Sequence, residues 1–362
     1  MKPRVESLSL NLKANEMDRK YGFGIIGTGA IATMHARGIQ ELPHAELIGV
    51  FNHRAAKAQA FAETHQTKAY ARLEQLLADP LIDVICICTP SGAHLEPALA
   101  AVAAGKHCLI EKPLEITSAR CLDIIQAAQQ RGVQVSTIFP TRFHPAALKV
   151  KEALQQGKFG DLVLGNAYVK WSRPAAYYQS ASWRGTWALD GGGALMNQGI
   201  HALDLLLWYM GPVSSVHALS ANRKHKEIEV EDTIVAQMKF QSGALGTIEC
   251  TTAAYIGSPK TIEIIGTKGR VSLEEDHLTS WDFEDQSHKN AKELQSGGKT
   301  EKSGHEDPMA IGHWGHRRQI ENFLHALDNG EAADIAGEEG AKAVHIIEAI
   351  YQSARQGKTV VL

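Results

Sequence analysis

The chain has 362 residues, of which 44% are hydrophobic and 21% charged, and its formal net charge is −3. Single cores stop growing beyond roughly 250–300 residues, so this length implies two domains. A near-neutral balance with no Lys/Arg block excludes a nucleic-acid partner, and the lack of any run of about 18 apolar residues excludes a spanning helix.

Residues 1–20 are polar, lack the apolar centre of a secretory signal, and read as an extension ahead of the fold. The five cysteines (Cys86, Cys88, Cys108, Cys121 and Cys250) are odd in number and irregular in spacing, a poor disulfide framework. Reduced thiols and a cytoplasmic location are expected. The 17 histidines are scattered and show no HExxH pattern, so no metal site is expected.

From Tyr21 the pattern alternates. Apolar runs at Tyr21–Gly27, Ala45–Phe51, Val84–Cys88, His107–Ile110 and Val133–Ile138 are separated by helical stretches Ala30–Glu41, Ala55–Thr64, His94–Ala104 and Ser118–Arg131. Strands spaced by helices of this length imply parallel βαβ units, hence a Rossmann doubly wound sheet over residues 21–140. The first turn reads Gly27-Thr28-Gly29-Ala30-Ile31-Ala32, a GxGxxA fingerprint between a strand and a helix. Gly27 permits the tight turn and Gly29 the approach of a pyrophosphate. Ala32 allows close helix–sheet contact, and the helix N-terminus faces the phosphates. The second strand ends in Asn52-His53-Arg54, where an NAD site usually has Asp or Glu for the ribose hydroxyls. Without that carboxylate Arg54 could pair with a 2′-phosphate, so the cofactor is NAD or NADP with a lean to NADP or dual use.

Beyond residue 140 the character changes. Leu162–Trp171 and Val213–Ala221 read as strands; Thr233–Phe240 with Ala244–Thr252, and Thr261–Ile265 with Arg270–Glu274, read as hairpins. Residues 141–362 are therefore expected to form an α+β domain with a large, mostly antiparallel open sheet. The segment Arg173–Trp187, rich in aromatics and Arg, suits either contact with sugar rings, hydroxyls or a carboxylate, or packing as a lid on its own domain. Residues 277–308 lack a steady period and read as a long, partly mobile excursion. His313 and His316 follow it and are not assigned a catalytic role.

Three segments define a resemblance: the fingerprint, then Thr89-Pro90 to His94 with Glu111-Lys112-Pro113, then Gly191-Gly192-Gly193 with Asn197, His201 and Asp204. In this order they resemble the Gfo/Idh/MocA oxidoreductase family, and the resemblance runs from about Tyr21 to the C-terminus. It implies hydride exchange between a nicotinamide and a hydroxyl or carbonyl carbon of a sugar, cyclitol or sugar derivative, with Lys112 and His201 as catalytic groups. The cofactor site implied comprises Gly27, Thr28, Gly29, Ala30, Ile31, Asn52, His53, Arg54, Thr89, Pro90, His94, Glu111 and Lys112. The substrate surface implied draws on Lys112, Arg142, Lys170, Trp171, Trp183, Asn197 and His201. Family members commonly carry Asp where this chain has Asn197, which puts a carboxylate-assisted proton relay in doubt; Asp204 reads as structural. The resemblance also implies a homodimer or homotetramer built through the open sheet. Two other activities in the family stay open, namely glycoside processing by transient oxidation and elimination, and non-catalytic sensing.

Overall fold

A computed structural model describes residues 20–284 and 312–362. The N-terminal extension falls outside the described residues except for Lys20, as does the stretch 285–311. The first sheet contains β1 (Tyr21–Ile26), β2 (Ala45–Phe51), β3 (Lys68–Tyr70), β4 (Val84–Ile87), β5 (His107–Ile110) and β6 (Val135–Thr137). All its pairs are parallel, in the order β3-β2-β1-β4-β5-β6. Every residue of β1 and β4 is buried, because helices cover both faces of such a sheet. These are α1 (Ala30–Gln40), α2 (Ala55–His65), α3 (Leu73–Leu77), α4 (Leu95–Ala103) and α5 (Ser118–Arg131). The strand order reverses between β1 and β4, and in such sheets the crevice beyond the strand ends at that point binds the ligand.

The second sheet has eight strands, β7 (Leu162–Lys170), β8 (Val213–Ala221), β9 (Thr233–Phe240), β10 (Leu245–Thr251), β11 (Thr261–Gly266), β12 (Gly269–Glu274), β13 (His277–Phe283) and β14 (Val360–Val361). Their order is β13-β12-β11-β7-β10-β9-β8-β14; only the β7–β10 pair is parallel. Burial alternates along β9 and β10, the signature of a sheet covered on one face. That face packs on α6 (Pro145–Gln155), α8 (Ile200–Met210) and α10 (Gly337–Gln356), while Leu219, Val235 and Leu245 remain exposed on the strands. A short α7 (Ala175–Gln179) lies in the segment after β7. The start of the stretch expected to be an excursion is a strand instead: β13 pairs with β12 across a tight turn at Glu275-Asp276, where Glu275 takes φ 54°.

The C-terminal part is not confined to the second domain. In α9 (Trp314–Asn329), Ile320, Phe323 and Leu324 join Phe23, Ile25 and Val50 in one apolar core, so the chain returns to the first sheet. Helix α10 lies between the two sheets, with Val344 in the core beside α5 and Ile346, Ile347 and Ile350 in that of the second sheet. Its Glu348 accepts a hydrogen bond from the Ser118 N–H at the start of α5 (2.8 Å), where an acid is favoured by the helix dipole.

Arg142, expected at the substrate, is instead a structural clamp. Only 5% exposed, it donates from Nε and Nη2 to the Asp204 carboxylate (2.8 and 2.6 Å) and from Nη1 to Glu339 (3.0 Å). It thereby ties the turn Pro140–Phe143 to α8 and α10. Removing one partner of a buried pair leaves the other charge stranded. Arg142→Ala should lower the unfolding free energy by about 3–5 kcal/mol, read from the denaturant midpoint. A loss below about 1 kcal/mol would refute the clamp.

Candidate active site

A cleft of about 1300 Å³ opens at the switch point and runs from the first sheet to the second. Gly27, Thr28, Gly29, Ala30 and Ile31 line one end, and Lys112, Asn197 and His201 line the other. Gly27 has φ +92°, and a side chain there would meet the Cys88 carbonyl oxygen at 2.6 Å. Gly29 is different. A Cβ on it would meet nothing within 4 Å, so the backbone N–H groups at the start of α1 face open cleft that a side chain would fill. The residues present thus fit a dinucleotide pyrophosphate.

At the ribose end Asn52 donates from Nδ2 to Thr28 Oγ1 (2.9 Å) and accepts the Arg54 N–H (2.8 Å). Arg37, Arg54 and Lys57 line the same end, and none of them is ion-paired among the described residues. His53, Thr89, Pro90 and Glu111 also reach the cleft. His94 does not. It is buried between the Pro113 and Thr89 carbonyls (2.9 and 3.0 Å), where it braces two loops that flank the cofactor end.

Beneath the cleft Glu111 Oε1 lies 2.9 Å from His35 Nε2 and 3.4 Å from His316 Nε2, and these ligand-capable atoms are all within 4.8 Å of one another. Burial works against a charge on His35, but Cys88 and Glu111 outweigh it and push its pKa up to about 10. Burial holds the Cys88 thiol up to about 11, so at neutral pH Glu111 is the counter-charge. Burial would likewise raise Glu111, yet hydrogen bonds from His316 and His35 keep it well below the ordinary carboxylate range. A protonated His35 offers no lone pair on the nitrogen facing Glu111, so His35 and Glu111 form an ion pair below the cofactor end, with His316 Nε2 beside it.

At the far end Lys112 Nζ donates to the backbone carbonyl of Asn197 (2.8 Å). Burial lowers its pKa; Glu111 and Asp190 oppose this and Arg184 adds to it. The Asn197 side chain donates to Asp190 (2.6 Å) and accepts from Tyr177 Oη (3.3 Å) and Gln198 Nε2 (3.1 Å). A carboxylate therefore stands beside position 197 although the residue itself is an amide. The segment Ala194–Gly199 is a wide π turn that feeds α8, and it directs Asn197 and His201 to the cleft while Asp204 turns toward Arg142. Burial and then the Lys112 charge hold His201 well below its ordinary pKa, so the ring is neutral at physiological pH.

The turn has a counterpart that sequence reasoning missed. Glu231 is buried behind it and accepts the N–H groups of Gly193 (2.9 Å) and Leu195 (3.0 Å) and the Tyr351 hydroxyl (3.0 Å). A side chain on Gly193 would collide with the Glu231 carbonyl oxygen at 1.7 Å, which accounts for the third glycine. Trp171 and Trp183 line the cleft, joined by Arg173, Tyr177 and Arg184. Lys170 does not line it. One residue earlier in the strand alternation, it shares the outer face with Tyr168 and pairs with Glu249 of the neighbouring strand (2.9 Å).

A phosphate cradle at a switch point, opening onto a half-buried lysine and a neutral histidine, defines a dinucleotide-dependent oxidoreductase. Comparison with known proteins agrees. Residues 21–139 match the model described as "Oxidoreductase family, NAD-binding Rossmann fold", and residues 147–272 match the GFO/IDH/MocA C-terminal domain. The chain is 32% identical over 272 residues to an uncharacterized oxidoreductase of Synechocystis sp., covering 71% of this chain and 72% of that one. It is 31% identical over 254 residues to myo-inositol 2-dehydrogenase of Thermotoga maritima, covering 68% and 73%. The structure of the WlbA dehydrogenase from Bordetella pertussis, in complex with NADH and UDP-GlcNAcA, superposes with a TM-score of 0.83 at 32% identity, over 95% of this chain and 99% of that one. The chain belongs to the Gfo/Idh/MocA family of oxidoreductases.

Because the Gly29 position faces open cleft, Gly29→Val should fold normally, within about 0.5 kcal/mol of the parent. Its affinity for reduced dinucleotide should fall more than about tenfold in calorimetry. Unchanged affinity in the folded variant would move the pyrophosphate elsewhere.

Proposed function

We propose that the protein is an NAD(P)-dependent dehydrogenase that oxidises a ring hydroxyl of a sugar, cyclitol or sugar derivative, or reduces the corresponding ketone. The observation that carries this reading is one continuous cleft with the phosphate-facing glycines at one end and Lys112, Asn197 and His201 at the other. When bound, the nicotinamide supplies the redox chemistry. Oxidation of an alcohol also releases a proton from its oxygen, and Lys112 is the group placed to take it. Burial favours the neutral amine, the form that accepts. Its hydrogen bond to the Asn197 carbonyl fixes the side chain against the second domain, and Asp190 stabilises the ammonium once the proton has arrived. His201, neutral and half-buried, is suited to hydrogen-bond the reacting oxygen without carrying charge. A sugar-like substrate is supported by the relatives that act on myo-inositol or hold UDP-GlcNAcA.

The sign of the pH dependence follows from the lysine. Its folded pKa lies below its ordinary value, and only the neutral form accepts the proton. Alcohol oxidation should rise with pH, log kcat/KM climbing by about one per pH unit, and level off below about pH 10.5; ketone reduction should run the opposite way. Lys112→Ala should lower kcat by about 10²–10⁴-fold and abolish this limb, with dinucleotide affinity nearly intact. A variant that keeps full kcat and the same pH profile would refute the assignment.

NADP should be accepted at least as well as NAD, because Asn52 removes the usual carboxylate and Arg37, Arg54 and Lys57 supply positive charge at the same end. Asn52→Asp should raise KM for NADP about tenfold or more while sparing NAD. Steady-state kinetics with each cofactor decide it, and a strong parental preference for NAD would count against the reading.

A further inference from the structure

We infer that the His201 imidazole is held as a single tautomer, with its proton on Nε2, and that it acts on the reacting oxygen only as a hydrogen-bond donor, leaving Lys112 as the sole proton acceptor. This rests on the dehydrogenase reading and divides the work between its two groups. The two ring nitrogens have different surroundings. Nδ1 is sealed from solvent and has no hydrogen-bond partner among the described residues. Nε2 has no such partner either, but it is not sealed. Because His201 lines the cleft, Nε2 is the nitrogen that reaches the open space. The Phe139 ring packs against the imidazole at 87°, with centroids 5.8 Å apart, and brings no lone pair to Nδ1.

A neutral imidazole carries one N–H, and the bond made by one nitrogen ordinarily decides which of the two carries it. Here neither nitrogen is bonded, so the choice turns on what each arrangement leaves sealed. A proton on Nδ1 would be a buried donor with no acceptor, and orphaned N–H groups are rarer in folded proteins than acceptors left short of a donor. A proton on Nε2 lies in the cleft, where a ligand oxygen can receive it, and Nδ1 keeps only a lone pair. For the ring to take a proton at Nε2 it would have to begin with the other proton on Nδ1. It would then end as an imidazolium with that donor still unpaired. The surroundings oppose such a charge: burial, Lys112, Lys260 and His316 all disfavour it, and Glu111 acts the other way.

The substrate oxygen makes the same choice. An alcohol has one O–H, and directing it at the neutral Lys112 amine leaves lone pairs that call for a donor. Were Nε2 a second acceptor, Lys112 and His201 would compete for one proton, and one of them would face the oxygen lone pair to lone pair. With the proton on Nε2 every group is paired before and after the step. In oxidation the carbon gives up hydride to the bound nicotinamide, its oxygen gives up a proton to Lys112 Nζ, and the C=O bond forms. The Nε2–H donates to that oxygen throughout and is neither gained nor lost; reduction runs backwards over the same atoms.

The test uses the full-length protein with its histidine nitrogens isotopically labelled, alone and with reduced dinucleotide. Two-bond proton–nitrogen NMR distinguishes the tautomers, and His201→Gln identifies the resonances that belong to position 201. The Nε2–H pattern is expected, unchanged across the neutral pH range; an Nδ1–H pattern, a mixture of the two, or titration in that range would overturn the proposal. The second arm follows nicotinamide absorbance during oxidation of myo-inositol, D-glucose and UDP-GlcNAcA, with melting temperatures showing that each variant folds. His201→Ala should lower kcat by about 10²–10³-fold, as for loss of one donor to a developing oxyanion. His201→Gln, whose amide brings an N–H to about the same place, should stay within about tenfold of the parent, and His201→Glu, a base without an N–H, should be as slow as the alanine variant. Gln no faster than Ala, or Glu faster than Gln, would overturn the donor role. The Nε2–H pattern without oxidation of any panel member would leave the tautomer standing and tell against the dehydrogenase reading.

Discussion

A guanidinium sealed inside a protein must find acids arranged to receive it, and Arg142 finds one on each of two helices that are distant in sequence. Asp204 takes two of its donors and Glu339 a third. The cost of leaving any of these charges unpaired fixes α8 against α10 and against the turn after β6. Because His201 lies one turn before Asp204 on α8, the clamp also determines where the imidazole stands in the cleft. Helix α10, in turn, touches both sheets, so the two walls of the site are referenced to one element.

What was legible in the sequence had local reasons. The fingerprint glycines answer to a positive φ at Gly27 and to the open cleft at Gly29, both properties of a few consecutive residues. The parallel sheet could be read because its central strands are apolar throughout, and the hairpins of the second sheet because each lies between adjacent segments. What was missed depends on distance or on phase. Arg142 meets acids 62 and 197 residues away. Lys170 and Trp171 are neighbours in sequence, yet only the second lines the cleft, because side chains alternate along a strand. Glu231 became visible only when the fold brought it to the glycine turn, and the partner of His316 only when the fold set it beside Glu111.

The same molecule treats two buried glutamates in opposite ways, and the difference lies in their partners. Glu111 faces imidazoles and stays ionised. Glu231 faces backbone N–H groups and a phenol; burial outweighs them and pushes its pKa up to about 7. In the unfolded chain Glu231 would ionise near its ordinary value of about 4.3. As pH rises from there to about 7 the unfolded state gives up this proton first, so this residue's contribution to stability falls over that window and levels off above it.

The return of α9 to the first sheet has a consequence for how the molecule comes into being. Phe323 and Leu324 complete a core begun by Phe23 and Ile25, some 300 positions earlier. During synthesis the nucleotide-binding layer must therefore wait, with one flank of α1 uncovered, until residues 314–329 have left the ribosome. The interval is a period of exposed apolar surface, in which a nascent chain needs protection from its neighbours. The second sheet, whose strands all lie between β7 and the C-terminal strand, has largely emerged by then. Both layers are completed late: the first by α9, and the second by α10 and β14, which follow it in the chain.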